Sequence, residues 1–379
     1  MPTKFDSIRQ FYDSEVNDAL QSISNHPMMK ALMSFTFPDL DEAVWMEQLK
    51  RTHSIRDFQV NFIYQSIQRV LERSSEGLTT SGFEKLDPSR SYLFISNHRD
   101  IILDTSLLNV SLYDHGQIMT ASAIGDNLVQ KSFLLALSRL NRNFLVRRGL
   151  PPRELLQSSK LMSEFMYHLL SKENRSVWIA QREGRTKDGN DATHQGVLKM
   201  LAMAADEKNV MEFFRKIRVV PVSISYEYDP TDALKMPQLM AEANDEVYIK
   251  EKNEDFITLI SGIIGQKKRI HIHVGDILDK EYDKIIAEND NTNKQIQALA
   301  QVIDDSILST YKLWPTNFIA YDLLHNTDQF ASKYSEKEKQ LFERRLEMRL
   351  GNEKETLRDS FLAMYANPVL NKMKYGNVD

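Results

Sequence analysis

The sequence predicts an α/β fold: a central mixed sheet flanked by helices, with helical additions at both ends. Three observations lead there. Short apolar runs alternate with longer amphipathic segments from about residue 78 to 275, the texture of strands and crossover helices. Before that stretch Phe58, Phe62, Ile63, Ile67, Val70 and Leu71 recur at helical spacing, with no strand pattern. After Asp276 the strand pattern stops again and helix-start signatures take over. The expected organisation is a helical N-terminal region over 1–77, an α/β domain over 78–285 and a helical C-terminal region over 286–379.

In order along the chain, Met28, Met29 and Met33 follow His26-Pro27 at partly helical spacing and read as the core of an early helix. Ser74-Ser75-Glu76-Gly77 ends the helical run. Tyr92–Ile95, Phe144–Val146, Val177–Ala180, Val219–Tyr226 and Ile270–Val274 are the predicted strands. Pro151-Pro152 opens a crossover helix with Leu155, Met162, Met166 and Leu169 on one face, and Lys172-Glu173-Asn174-Arg175 is a polar turn after it. Pro221 costs its strand a ladder hydrogen bond, which marks an edge or an entry. Thr292 and Gln295 form a candidate capping box ahead of Ile296, Leu299, Ile303 and Ile307. Ser335 and Glu338 repeat it before Leu341, Leu346 and Leu350, with a break at Gly351 and a restart before Phe361.

Composition narrows the function. Of 379 residues, 42% are apolar and 27% charged, and the net charge of -5 argues against nucleic acid as a partner. The absence of cysteine excludes disulfides, thiolate zinc sites and a cysteine nucleophile. Chemistry falls to His, carboxylates and hydroxyls. No apolar stretch approaches the ~20 residues that cross a bilayer, and no basic region with an apolar core opens the sequence, so a cytoplasmic location is expected.

The most informative segment is Ser96-Asn97-His98-Arg99-Asp100-Ile101-Ile102-Leu103-Asp104. A histidine at a strand exit, with carboxylates inside the next two helical turns, is placed for proton transfer. Downstream, Lys131 to Arg153 holds Arg139, Arg142, Arg147, Arg148 and Arg153 without one Asp or Glu, a concentration suited to a dianion or an anionic surface. Arg147-Arg148 follows the apolar Phe144-Leu145-Val146, so two guanidinium groups with bidentate geometry stand at a strand end. Glu183-Gly184-Arg185-Thr186-Lys187 follows the next strand. There Gly184 permits close backbone approach, Arg185 and Lys187 add positive charge, and Glu183 can hold an arginine or accept from a substrate hydroxyl.

Taken in order, Asn97-His98 with its aspartate, Phe144-Leu145-Val146-Arg147-Arg148, Glu183-Gly184-Arg185-Thr186 and Val220-Pro221-Val222 resemble the four motif blocks of the glycerolipid acyltransferase family. The resemblance spans roughly residues 78 to 275 and includes the lead-in Gly82-Phe83-Glu84-Lys85-Leu86. The Arg147-Arg148 pair looks more like the branch acting on glycerol 3-phosphate and dihydroxyacetone phosphate. The resemblance implies transfer of an acyl group from acyl-CoA or an acyl carrier protein to a hydroxyl of a glycerol-phosphate or lysophospholipid acceptor. His98 would be the general base, Arg147, Arg148 and Arg185 would hold the acceptor's phosphate, and Glu183, Gly184 and Thr186 would complete the substrate site. No cofactor or metal is implied, and the lipid product implies a peripheral place on a membrane. In one respect the sequence departs from the family. Four residues separate His and Asp there, whereas Leu103 holds that position here and Asp104 comes one later. Asp104 is expected to orient His98, with Asp100 as a helix N-cap and the other candidate for the role.

Other readings carry less. His98-Arg99-Asp100 matches the kinase catalytic loop as a tripeptide, but Thr105 stands where that loop needs Asn, and its Gly-rich loop and Asp-Phe-Gly are missing. His271 and His273 share a strand face without a third ligand at metal spacing, and read as structural. The competing function is an inactive acyltransferase-like protein that binds phospholipid or a partner at a membrane surface, the shifted aspartate marking lost catalysis.

Overall fold

The computed structural model describes residues 3–205, 209–251, 253–351, 354–376 and 378. Its centre is a seven-stranded mixed sheet of β1 (Ser75–Ser81), β2 (Leu93–Ser96), β3 (Ala121–Gly125), β4 (Asn143–Val146), β5 (Val177–Ala180), β6 (Val219–Tyr226) and β7 (Lys268–Val274). The order across the sheet is β1-β7-β6-β2-β5-β3-β4. All neighbours run parallel except β6 and β7. The predicted α/β class is therefore the observed one.

The central strands are covered on both faces, which is why they read as unbroken apolar runs. On one face Leu93, Ile95, Val177, Ile179 and Val219 pack with Met162, Met166, Leu169, Leu299, Ile303 and Ile307. On the other, Phe94, Trp178, Val220, Val222 and Ile224 pack with Leu103, Leu107 and Leu108. Each such side chain, fully buried, contributes ~1.5–3 kcal/mol to folding. The N-terminal helices enclose their own core of Met29, Met33, Trp45, Phe58 and Phe62, closed by Phe133 and Leu140. The C-terminal helices enclose another, of Phe318, Phe342, Phe361 and Tyr365. No described helix is long and apolar enough to cross a membrane.

Two strands escape the sequence pattern. β1, Ser-Glu-Gly-Leu-Thr-Thr-Ser, is an edge strand of mostly polar, partly exposed residues, so alternation hides in it. Its hydroxyls serve β7: Thr79 Oγ1 is 2.8 Å from His271 Nδ1, and Ser81 Oγ is 3.0 Å from His271 Nε2 and 2.8 Å from His273 Nδ1. β3 is short and built of small residues. Pro221 is not on an edge strand, since β6 lies between β7 and β2. It sits near the strand's start, where β7 has ended at Val274; its carbonyl accepts from Gly275 N–H, and its missing N–H leaves no ladder position open.

Smaller corrections concern helix ends. The helix Thr292–Thr310 is capped one residue earlier than expected, by Asn291 accepting from Lys294 N–H, while Gln295 reaches the carbonyl of Asn289. Ser335 and Glu338 do form a reciprocal capping box. The helix Pro152–Ser171 opens on the proline pair, but Leu155 is 47% exposed rather than part of the buried stripe.

Candidate active site

The strand exit is pinned before the histidine is reached. The Asn97 side chain behaves like a strand peptide, with Nδ2 donating to Ile224 O and Oδ1 accepting from Ile224 N–H, both at 2.8 Å. Trp178 Nε1 donates to Ser96 Oγ at 2.9 Å, and its ring meets the His98 ring edge-on at 5.4 Å between centroids. β2 and its two neighbours thus fix where His98 leaves the sheet.

His98 Nδ1 lies 2.8 Å from Asp104 Oδ2. The same oxygen accepts from the amides of Arg99 at 2.6 Å and Asp100 at 3.0 Å, and Asp104 Oδ1 accepts from the Tyr226 hydroxyl at 2.7 Å. A carboxylate with no exposed surface is here supplied with four donors, the condition for keeping it buried. With Nδ1–H committed to Asp104, the tautomer is set and Nε2 is the basic nitrogen; it makes no hydrogen bond among the described residues.

Asp100 explains how an extra residue fits between His98 and Asp104. Its Oδ1 accepts from the amides of Ile102 at 2.9 Å and Leu103 at 2.8 Å, winding residues 100–103 into a turn, so the helix Leu103–Asp114 begins after it and presents Asp104 to His98. Burial, and then Asp104 beside it, raise the Asp100 carboxyl above its ordinary range. Its Oδ2 is buried without a hydrogen-bond partner and faces Gly262 of the helix Glu254–Ile264, where a β-carbon would come within 2.0 Å. The amides of Arg99, Asp100, Ile102 and Leu103 are all used inside this loop and are not free to meet a substrate.

Behind the loop lies a buried ionic network. Arg99 pairs bidentately with Asp191 at 2.7 and 2.5 Å, and Asp191 Oδ1 also accepts from Thr186 Oγ1 at 2.9 Å. Thr186 is 1% exposed, and its N–H donates to His98 O at 3.0 Å, so it ties the Glu-Gly-Arg loop to the strand exit at His98 rather than facing open space as a substrate contact would. Lys235, buried on the helix Asp232–Ala243, pairs with Asp229 and reaches the Arg99 carbonyl at 3.5 Å. Asp232 is held by Arg345 and Tyr365 from the C-terminal helices.

The basic motifs divide. Arg148 pairs with Glu183, as Glu183's place in the loop allowed, and its N–H donates to Asp126 at 3.1 Å. Arg147 is exposed and forms no ion pair among the described residues. Arg142 points away from this rim, buried with Nε donating to Gln59 at 2.8 Å. Gly184 holds φ +73, and Arg185 makes only a 3.2 Å bond to the Thr231 hydroxyl.

Sequence reasoning missed Tyr226, Asp191, Asp229 and Lys235. Tyr226 ends the predicted strand Val219–Tyr226, so its alternation with Ile224 gave it a face, but only the fold brings that face to Asp104. Asp191, Asp229 and Lys235 carry no local pattern in the sequence that marks them as buried or paired.

An acyltransferase family model matches residues 77–225. Comparison with curated proteins found no match. Among solved structures, the 1-acyl-sn-glycerophosphate (LPA) acyltransferase PlsC from Thermotoga maritima is similar at 12% identity, covering 78% of this chain and 95% of that one, with a TM-score of 0.38. The matched segment runs from within β1 to within β6 and holds His98, Asp104, Arg147, Arg148 and the Glu183–Thr186 loop. Residues 77–225 thus match the acyltransferase family model over the stretch that holds the four motifs.

Proposed function

We propose that this protein moves a fatty acyl group from an acyl thioester, acyl-CoA or acyl carrier protein, to a hydroxyl of a glycerol-phosphate type acceptor in phospholipid synthesis. The observation that carries this reading is the 2.8 Å contact between His98 Nδ1 and Asp104 Oδ2 in a loop that leaves Nε2 without a partner. Nε2 removes the proton from the acceptor hydroxyl as its oxygen attacks the thioester carbonyl. Asp104, itself held by Tyr226 and two amides, keeps the tautomer and stabilises the imidazolium. Collapse of the tetrahedral intermediate expels the thiolate, which takes the proton back from His98. No acyl-enzyme is required, in keeping with a chain that lacks cysteine.

Arg147, Arg148 and Arg185 hold the acceptor's phosphate, and fixing the hydroxyl near the base supplies much of the rate. Glu183 sets Arg148, and Gly184 lets the backbone approach the substrate. Asp104's contact with His98 favours this reading over an inactive lipid-binding scaffold, since the extra residue before it does not separate the pair. We place the protein in the cytoplasm, peripheral on a membrane. Exposed Lys131, Arg147 and Arg153 stand with Leu155 and Leu156, 47% and 62% exposed, in one basic and apolar stretch of chain. Failure to co-sediment with anionic vesicles at low salt would remove that part.

The deciding experiment is an acyl-transfer assay over a panel of acceptors (glycerol 3-phosphate, dihydroxyacetone phosphate, lysophosphatidate) and both donor types. Wild type is expected to acylate at least one acceptor, and His98→Ala to lose about three orders of magnitude or more, as loss of the base from an Asp-His unit does. No turnover by wild type on any pair sinks the enzyme and leaves the scaffold.

A further inference from the structure

The loop that carries Glu183-Gly184-Arg185 is closed at its base by His194 N–H donating to Gln181 O at 2.9 Å, and between those ends it forms no helix or strand. One side of it faces His98. Thr186 N–H reaches His98 O, and Thr186 Oγ1 donates to Asp191 Oδ1 at 2.9 Å, while Asp191 also holds Arg99. Residues 186–191 are thereby closed into a ring that moves as a unit, with Arg185 at its entrance. The Asp188 carboxylate folds only the ring's own turn, accepting from the Asn190 amide and side chain at 3.1 and 3.0 Å.

The grip on the other side comes from distant sequence. On the helix Lys354–Met373, Met364, Asn367, Pro368 and Asn371 recur at i, i+3, i+4 and i+7 and so share one face. All four meet the ring. Asn367 Nδ2 donates to Asp188 O at 2.6 Å, and Asn371 Nδ2 lies 3.4 Å from Asn190 Oδ1. Pro368 has no N–H to give the Met364 carbonyl four residues back, and that carbonyl faces Gly189. A β-carbon on Gly189 would come within 2.3 Å of Met364 O and 3.2 Å of Pro368 Cδ, and Gly189 holds φ +76, so the approach suits glycine alone.

The helix is itself fixed from behind. Lys372 donates to Tyr311 O and Asn317 to Tyr365 O, both at 2.8 Å, and the Tyr365 hydroxyl donates to Asp232 at 2.9 Å. It lies outside residues 77–225, so the matched stretch does not supply this side of the loop. Apolar side chains would be enough to cover the ring, whereas amides and a freed carbonyl aimed at its backbone fix its path.

We propose that the helix Lys354–Met373 is part of the frame of the substrate site, with Asn367 a positioning residue that acts through Asp188 to hold the ring, and with it Arg185, beside His98. This rests on the acyl-transfer reading for its purpose, but the order of the loop can be measured with no substrate present.

The test is hydrogen exchange read by mass spectrometry on the full chain, comparing wild type with Asn367→Ala and with Asn367→Asp, which keeps the shape and loses the donor. Both variants should exchange the amides of residues 184–191 about ten-fold faster or more, with β2 and β5 as protected as in wild type. Unchanged exchange in both overturns the proposal, and so does an Asn367→Asp that matches wild type while Asn367→Ala does not, since packing alone would then account for the residue. In acyl transfer, Asn367→Ala should raise the acceptor KM about five-fold or more, with a smaller change in kcat. An unchanged acceptor KM overturns the proposal. Were Asn367→Ala not to fold, Gly189→Ala, which pushes the ring off Met364 from the other side, is read in the same two assays by the same criteria. If wild type acylates nothing while exchange quickens in both variants, the clamp stands and the enzyme reading falls. If acylation proceeds and loop exchange is unchanged, the clamp alone falls.

Discussion

His98 and Asp104 stand six positions apart and meet at 2.8 Å, because Asp100 ties the intervening residues into a turn that delays the helix start. The two carboxylates therefore have different duties: Asp104 holds the histidine and Asp100 holds the loop. Replacing Asp104 by Asn removes the negative charge that keeps Nδ1–H in place, and kcat should fall about 10²–10⁴-fold, as expected when an Asp-His pair loses its tautomer. Asp100→Asn keeps an acceptor for the amides of Ile102 and Leu103, so kcat/KM should stay within about ten-fold. Steady-state rates for both variants settle the assignment; a large loss confined to Asp100→Asn would exchange their roles.

Tyr226 gives Asp104 its fourth hydrogen bond, from 122 residues away and at 2.7 Å. In Tyr226→Phe the carboxylate keeps its other donors while Oδ1 is left buried and bare. A loss of ~1–3 kcal/mol is expected, the cost of an unsatisfied buried acceptor, along with a lower kcat. Denaturant unfolding with the slope held constant measures the first. A variant as stable and as active as wild type would mean that water takes over the hydroxyl's place.

Arg99 and Asp191 form a buried ion pair, their side chains 7% and 2% exposed, and Thr186 hangs on the same aspartate. Removing one partner of such a pair leaves the other charge stranded, at ~3–5 kcal/mol. Asp191→Ala should therefore cost stability in that range and loosen the Glu-Gly-Arg loop, which KM for the acceptor would report. A melting temperature within two or three degrees of wild type would show the guanidinium finding solvent.

How far the sequence anticipated this site follows from the kind of contact each residue makes. His98, Asp104, the Arg pair and the Glu183 loop lie beside strand ends that read as apolar runs, so local pattern placed them. Asp104 was legible despite its shifted spacing, but the turn that makes the shift harmless depends on Asp100 bonding two amides, which spacing cannot display. Tyr226, Asp191 and Lys235 act across the fold, 122, 92 and 136 positions from the Asp104 or Arg99 atoms they bond. Nothing local distinguishes them from solvated polar residues. The missed strand β1 has the same cause: its value lies in pairing with β7, not in its own apolarity.

Gly262 brings the helix Glu254–Ile264 against the loop that joins His98 to Asp104, where a β-carbon would lie 2.0 Å from Asp100 Oδ2. Neither backbone nor buried carboxyl can give way freely. Gly262→Ala should cost ~1–3 kcal/mol, the range for overpacking, and lower kcat by disturbing the turn that Asp100 holds. The double variant Gly262→Ala with Asp100→Ser, which shortens the side chain, should recover much of the lost stability. Additive losses in that cycle would show that the two sites do not touch.

His271 links β7 to the edge strand, bonded by Thr79 and Ser81, and burial with the nearby cations Lys312, His273 and Lys372 pushes it down to about 4. In the unfolded chain histidine titrates near 6.5. Between those values the unfolded state binds a proton that the folded state refuses, so stability present above about pH 6.5 is lost as the pH falls toward about 4. His273 is lowered by burial too and adds in the same direction. His271→Gln removes the titrating ring while its amide can still bond one hydroxyl. Its urea midpoint should drop less than that of wild type between pH 7.5 and pH 5, even if it starts lower at pH 7.5. Parallel midpoints across that range would place the acid sensitivity of the β1–β7 edge elsewhere.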